Sequence, residues 1–257
     1  PVIEEGDEFV IVDTGSTDDT KKVIRSVAPR AEVLDFVKED HPECFLLDVE
    51  ETWRSKISGP FTGKWWLSDF GAARQYGWER LRSDFLMWLD SDDTVVGVEN
   101  LAGLLEEMTE KRAGSAMLNY EYQHDARGNV VMQARLNRIV QRHVRSRWTM
   151  PIHEVLVPRT VDDLVRDSVK VVHHRTKDGQ PPLWHQRNLK VLVKWLDDRV
   201  HLKEEMIDPR MLYYAGRESF YSNQKEALGY FQRYVRRSGF KEERASARVL
   251  MGQILER

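Results

Sequence analysis

The chain has 257 residues, 41% hydrophobic and 32% charged, with a mean hydropathy of -0.57, a globular profile without any apolar run near the ~20 residues of a membrane-spanning helix. The lone Cys44 excludes a disulfide framework or multi-cysteine zinc site, and the amino end, PVIEEGDE, has no basic-then-apolar secretion pattern, so a cytoplasmic protein with an unreactive thiol is expected. Net charge is -3, but residues 1–126 carry 13 Lys+Arg against 27 Asp+Glu and residues 127–257 carry 26 against 15, an acidic half suited to a divalent cation and a basic half suited to phosphates or an acidic acceptor.

Glu8 to Asp13 (EFVIVD) is a short β-branched and aromatic run closing on an aspartate, which predicts a buried strand. Ser16-Thr17-Asp18-Asp19 offers N-cap and first-turn acids for a helix in which Val23, Ile24 and Val27 share one face before Pro29. Ala31 to Val37 predicts a second strand, and residues 38–66, with Trp53, Gly59-Pro60, Gly63 and Trp65-Trp66, read as a long irregular functional loop. A helix from Ser68 to about Leu81 and a strand from Asp84 to Leu89 follow. That β-α-β-loop-α-β order predicts a parallel, doubly wound sheet. Glu99 to Lys111 predicts an amphipathic helix, Ala116 to Tyr122 and Val130 to Val140 two strands around the turn at 125–129, and Ser168 to His173 a last strand.

From Leu183 the texture is helical, in segments 183–201, 209–221, 224–237 and 241–256 separated by Asp208-Pro209, Ser222-Asn223 and Ser238-Gly239. A domain of residues 1–180 and a helical region of residues 181–257 are expected, with the boundary near 176–183 in the loop holding Gly179 and Pro181-Pro182. Trp184 and Trp195 predict that the helices pack on the preceding domain. Ala227 and Phe231, four apart after Tyr213-Tyr214-Ala215, resemble a tetratricopeptide hairpin, a unit that also serves protein partners or self-association.

Three clusters carry chemistry, each at the carboxyl end of a predicted strand, where open α/β sheets place ligands. In the first, Asp13 precedes a small-residue turn and a helix amino terminus, a setting for the polar edge of a base or a sugar hydroxyl, or equally an ordinary capped turn. In the second, Asp90, Asp92 and Asp93 place three carboxylates in four residues, which repel one another unless they face open water or surround a cation such as Mg²⁺ or Mn²⁺. The third is split between Ile152-His153-Glu154 and Val171-Val172-His173-His174: a glutamate suited to proton transfer, and an imidazole able to complete a carboxylate metal site.

Together these pieces resemble the family 2 glycosyltransferases of the GT-A fold. The matching segments are VDTGSTDDT at 12–20, DFGAAR at 69–74, FLMWLDSDD at 85–93, IHE at 152–154, and VVHH at 171–174 followed by RNLKVL at 187–192. The resemblance covers roughly residues 7–195 and is nearest to enzymes whose catalytic domain precedes tetratricopeptide-like helices. It implies an α/β GT-A domain with a mixed sheet and a helical appendage, and transfer of a hexosyl group from a UDP- or GDP-sugar with inversion. By that resemblance Asp13 contacts the base, Arg74 the nucleotide or diphosphate, and Asp90 and Asp92 form the DxD pair. Asp92 is then the direct ligand of Mn²⁺ or Mg²⁺, Asp90 lies nearer the ribose or a metal-bound water, His173 is a further ligand, and Glu154 is the catalytic base. The family's opening strand, which precedes the DTGSTD strand, is expected upstream of Pro1, and Gln75 stands where the family often has Asn.

Asp90-Ser91-Asp92-Asp93-Thr94 also fits the DxDxT signature of haloacid-dehalogenase-type phosphatases, although no Gly-Asp pair follows residue 96. A non-catalytic domain presenting its helices to a partner is the third reading. The acceptor, whether protein, glycan or nucleic acid, does not follow from the sequence. Arg135, Arg138, Arg142, Arg145 and Arg147 form a basic stretch that suits ordinary structure better than an acidic acceptor.

Overall fold

The computed structural model describes residues 6–49, 61–159, 163–174, 183–203 and 206–256. It is a mixed α/β protein with carboxyl-terminal helices, and it divides into two compact units that interleave along the chain. One lies within Pro1–Val37, Ala72–Thr149 and Val155–Gly179, the other within Lys38–Gly71, Met150–Glu154 and Gln180–Arg257. The loop at 175–182, where the domain boundary is expected, lies outside the described residues.

In the first unit, β1 (Val10–Asp13) and β2 (Glu32–Asp35) pair in parallel, with Asp13 beside Asp35, on either side of α1 (Thr20–Val27). Asp18 supplies the side-chain acceptor at the start of α1, taking a hydrogen bond from the Thr20 N–H at 3.0 Å. The expected apolar face of α1 stays open, since Val23 is 54% and Val27 76% exposed. Helix α2 (Phe70–Trp78) begins in the second unit and runs into the first.

The parallel, doubly wound sheet is not what forms. The strand after α2, β5 (Phe85–Met87), pairs antiparallel with β8 (Val130–Gln141), Leu86 opposite Val140. It thereby joins a five-stranded mixed sheet with β6 (Asp93–Val96), β7 (Ser115–His124) and β11 (Asp163–His173), in the order β5-β8-β7-β11-β6. The physical reason is the long β7–β8 hairpin, which returns β8 along the edge of β5 and occupies its hydrogen-bonding groups. Only β7 and β11 are parallel in that sheet. Leu104 and Met108 of α3 (Leu101–Glu110) cover one face, packing with Ala116, Leu118, Tyr120, Ile139, Val169 and Val171. A short pair, β9 (Arg147–Thr149) with β10 (Val155–Val157), adds Trp148 and Leu156 to a second cluster with Trp78, Leu86 and Val140.

The second unit shows that 38–66 is not wholly irregular. A 3₁₀ turn at Pro42–Cys44 enters β3 (Phe45–Leu47), which pairs antiparallel with β4 (Trp65–Leu67). These runs are short but apolar, which favours strand pairing over an open loop; Trp53 and Gly59-Pro60 lie outside the described residues. Asp48, fully buried after β3, accepts from Thr62 and from Lys190 of α4 (Leu183–Asp198), whose Nζ is 2.6 Å away and lies over the Phe61 and Trp66 rings.

The remaining helices, α5 (Pro209–Ser219), α6 (Gln224–Arg237) and α7 (Lys241–Leu255), match the sequence expectation closely. Asp208 and Asn223 cap α5 and α6 with their side chains, so the residues that punctuate the sequence are the ones that satisfy the helix ends. Ala227 and Phe231 are fully buried, and Trp195 packs against an apolar cluster that the helices share with Ile152, Met150 and Phe70 of the same unit. No helix among the described residues is long and apolar enough to cross a membrane.

Candidate active site

Asp13 ends β1 and is 4% exposed. Its Oδ1 accepts the N–H groups of Gly15 and Ser16, both at 2.9 Å, in a turn that Gly15 enters at φ +102. Burial works against ionisation, but hydrogen bonds from Ser16 and Gly15 and the charge of Lys21 outweigh it and hold the carboxyl below its ordinary range. One carboxylate is therefore fixed in its charged form at the end of a buried strand.

The acidic turn lies between β5 and β6, and its three carboxylates have separate environments. Asp90 is ion-paired with Arg74 of α2, whose guanidinium lies 5.0 Å from the ring centres of both Trp88 and Trp148. Asp93 is buried. Its Oδ2 accepts from Arg138 at 3.0 Å and from the Asp90 N–H at 3.1 Å, and its Oδ1 accepts from the Tyr120 hydroxyl at 2.9 Å. Asp92 is the open one, its side chain 39% exposed.

The β6–β11 register sets His173 directly opposite Asp93, and the His174 N–H donates to the Asp92 carbonyl at 2.8 Å. His173 Nδ1 is then 3.2 Å from Asp93 Oδ1 and 3.5 Å from Asp92 Oδ1. Ligand atoms of Asp92, Asp93 and His173 all lie within 4.8 Å of one another. Carboxylate oxygen beside imidazole nitrogen suits Mn²⁺ or Mg²⁺ with other positions left for phosphate or water. Asp93 already spends both oxygens on Arg138, Tyr120, the turn and His173 Nδ1, so Asp92 is the carboxylate of this group with the most capacity to spare. The sequence pair Asp92 and His173 is thus brought together, while Asp90 is held on Arg74.

Arg138 is the buried partner of the acidic turn that motif reading missed. Its guanidinium lies 3.6 Å from the Trp88 ring centre and 4.2 Å from that of Tyr120, with the side chain fully buried. The available signal was an arginine between Leu136 and Ile139-Val140 in an apolar strand, since a charge there requires a buried partner. Arg135 pairs with Asp167 at 3.0 Å on a more exposed stretch of the same strand. Gln75 is also used structurally, its side-chain oxygen accepting the Trp148 N–H at 2.9 Å.

Glu154 belongs to the second unit. The segment before it is tightly held, with Ile152 only 3% exposed, the Phe70 N–H donating to the Pro151 carbonyl at 2.7 Å, and His153 stacked on Tyr214. Met150 and His153 both adopt positive φ, +74 and +53, a costly conformation for residues other than glycine.

No protein-family model matches the chain, and no curated protein matches it. Among solved structures, the chain is similar to Staphylococcus aureus TarS at 13% identity and a TM-score of 0.45, over 96% of this chain and 48% of that one. It thus spans about half the length of that TarS chain. A TarS 1-349 structure in complex with UDP gives 12% identity and a TM-score of 0.45, over 96% of this chain and 79% of that one.

Proposed function

We propose that this chain is a metal-dependent inverting glycosyltransferase that moves a hexosyl group from a UDP- or GDP-sugar to an acceptor. The observation that carries this reading is the β6–β11 register, which sets His173 opposite Asp93 and so brings its Nδ1 to 3.5 Å from Asp92 Oδ1 at the end of an acidic turn. In this reading Asp92 and His173 hold Mn²⁺ or Mg²⁺, which when bound supplies charge neutralisation for a departing diphosphate. Asp13, held ionised, accepts hydrogen bonds from the donor's base, and Arg74 with Asp90 lies along the nucleotide. Glu154 takes the proton from the acceptor atom as it attacks the anomeric carbon, and single displacement inverts that centre.

Calorimetry with UDP in Mn²⁺ and in EDTA tests the reading. Affinity should depend on the metal, and Asp92→Asn should remove most of that dependence. Equal affinity in the two buffers refutes the metal assignment, and a protein that hydrolyses simple phosphate esters but no nucleotide sugar is a phosphatase instead.

A further inference from the structure

The segment Met150–Glu154 lies in the same compact unit as the carboxyl-terminal helices, although it is far from them in sequence. Its contacts within that unit are specific. The His153 ring lies parallel to Tyr214 of α5, with centroids 3.9 Å apart and planes inclined by 17°. His153 Nε2 is 3.4 Å from Oε1 of Glu218, one turn further along α5, and the Glu218 side chain is only 5% exposed. Ile152 sits in the helical core with Val191, Leu192, Met211 and Leu212. Close approach of Gly71 completes the support, since a Cβ there would lie 2.4 Å from the Met150 carbonyl.

Arg187 of α4 joins the group. It is half-buried, with its guanidinium 4.8 Å from the Phe70 ring centre; burial draws the guanidinium below the usual range, and the charges of Glu154 and Glu218 oppose that shift. Two positive-φ residues within four positions persist only where surrounding structure over-determines them, and here the ring stack, the close approach of Glu218 and the apolar anchor do so. Such a backbone has little freedom to reorient the residue that follows it.

We infer that Tyr214 and Glu218 of α5 are positioning residues for Glu154, so that the helical region serves as the mount of the proton-accepting group. This rests on Glu154 being the base. A rigid mount matters because a reacting group displaced by about 1 Å can lose ~10²-fold in rate. In this reading the helices contribute to turnover, and the residues assigned to the nucleotide belong to the other unit.

The test uses the full chain and hydrolysis of a panel of UDP- and GDP-hexoses with Mn²⁺, the fastest donor serving as the probe. Tyr214→Leu should lower kcat by about 10- to 100-fold. Donor KM and the UDP Kd should stay unchanged, and hydrogen exchange at 152–154 should quicken. Tyr214→Phe keeps the ring and should restore wild-type kcat. Should Tyr214→Leu fail to fold, Glu218→Gln keeps size but removes the charge beside His153, and should show the same loss confined to kcat. Wild-type turnover in both variants overturns the inference, as does a parallel loss of UDP affinity. Glu154→Gln separates the levels: if it turns over normally, the base assignment fails and the inference with it. If it is inactive while the α5 variants are normal, the inference alone fails.

Discussion

Arg138→Met isolates the buried ion pair beneath the acidic turn. Both side chains are fully buried and their charged atoms are 3.0 Å apart, so removing the guanidinium strands the Asp93 carboxylate in the core. One-sided loss of such a pair costs about 3–5 kcal/mol. Two further effects have opposite signs. The guanidinium contacts with Trp88 and Tyr120 are each worth up to ~2 kcal/mol when desolvated. Against this, Nε and Nη2 of Arg138 are buried without a hydrogen-bond partner among the described residues, and each such donor costs ~1–3 kcal/mol. Methionine loses the first and relieves the second, so they roughly cancel and the ion pair decides. The expected destabilisation is about 3–5 kcal/mol in urea unfolding followed by tryptophan fluorescence, with an unchanged m-value. Adding Asp93→Asn, which removes the stranded charge but keeps an acceptor for Tyr120, should recover at least half of it. A single variant within about 1 kcal/mol of wild type would refute the claim that this pair anchors the turn.

Glu154→Gln should leave the UDP Kd unchanged while nucleotide-sugar turnover falls ~10²–10⁴-fold, read by calorimetry and product assay on one preparation. Gly97→Ala should cost about 2–5 kcal/mol in the same urea assay, because Gly97 sits at φ +79 and a Cβ would lie 2.1 Å from the Ser168 carbonyl. Hydrogen bonds from Arg166 and then Lys111 lower the Glu107 carboxyl from 4.5 to about 2. Its contribution is full above the unfolded value and lost as pH falls through the folded one. The stability gap between wild type and Arg166→Gln should therefore close between about pH 4.5 and pH 2. Burial, then Asp69 and Glu43, push the Cys44 thiol up to about 12. A disulfide reagent at pH 8 should modify it far more slowly in native than in denatured protein, and equal rates would contradict its burial.

Local pattern carried much of this protein. Asp208-Pro209 and Asn223 mark helix starts because the Asp208 and Asn223 side chains accept orphan N–H groups of the first turn and Pro209 has none to satisfy, a need met within three residues. The strand closing on Asp13 and the hairpin around residues 125–129 were legible for the same reason. The composition of Val12 to Thr20 and of Asp90 to Asp93 likewise marked these two turns as candidate sites.

What tertiary structure alone decided is which distant segments meet. His173 faces Asp93 across 80 residues because β11 pairs with β6 in one register, and slipping by one residue would turn the imidazole to the other face of the sheet. Likewise β5 chose β8 as a partner, Arg138 became the counter-ion of Asp93, and 38–71 joined the helices through Lys190 and Asp48. Periodicity along a chain reports which face of an element is apolar. It carries no record of the partner that covers that face, since pairing energy depends on contacts made only after the chain has closed on itself.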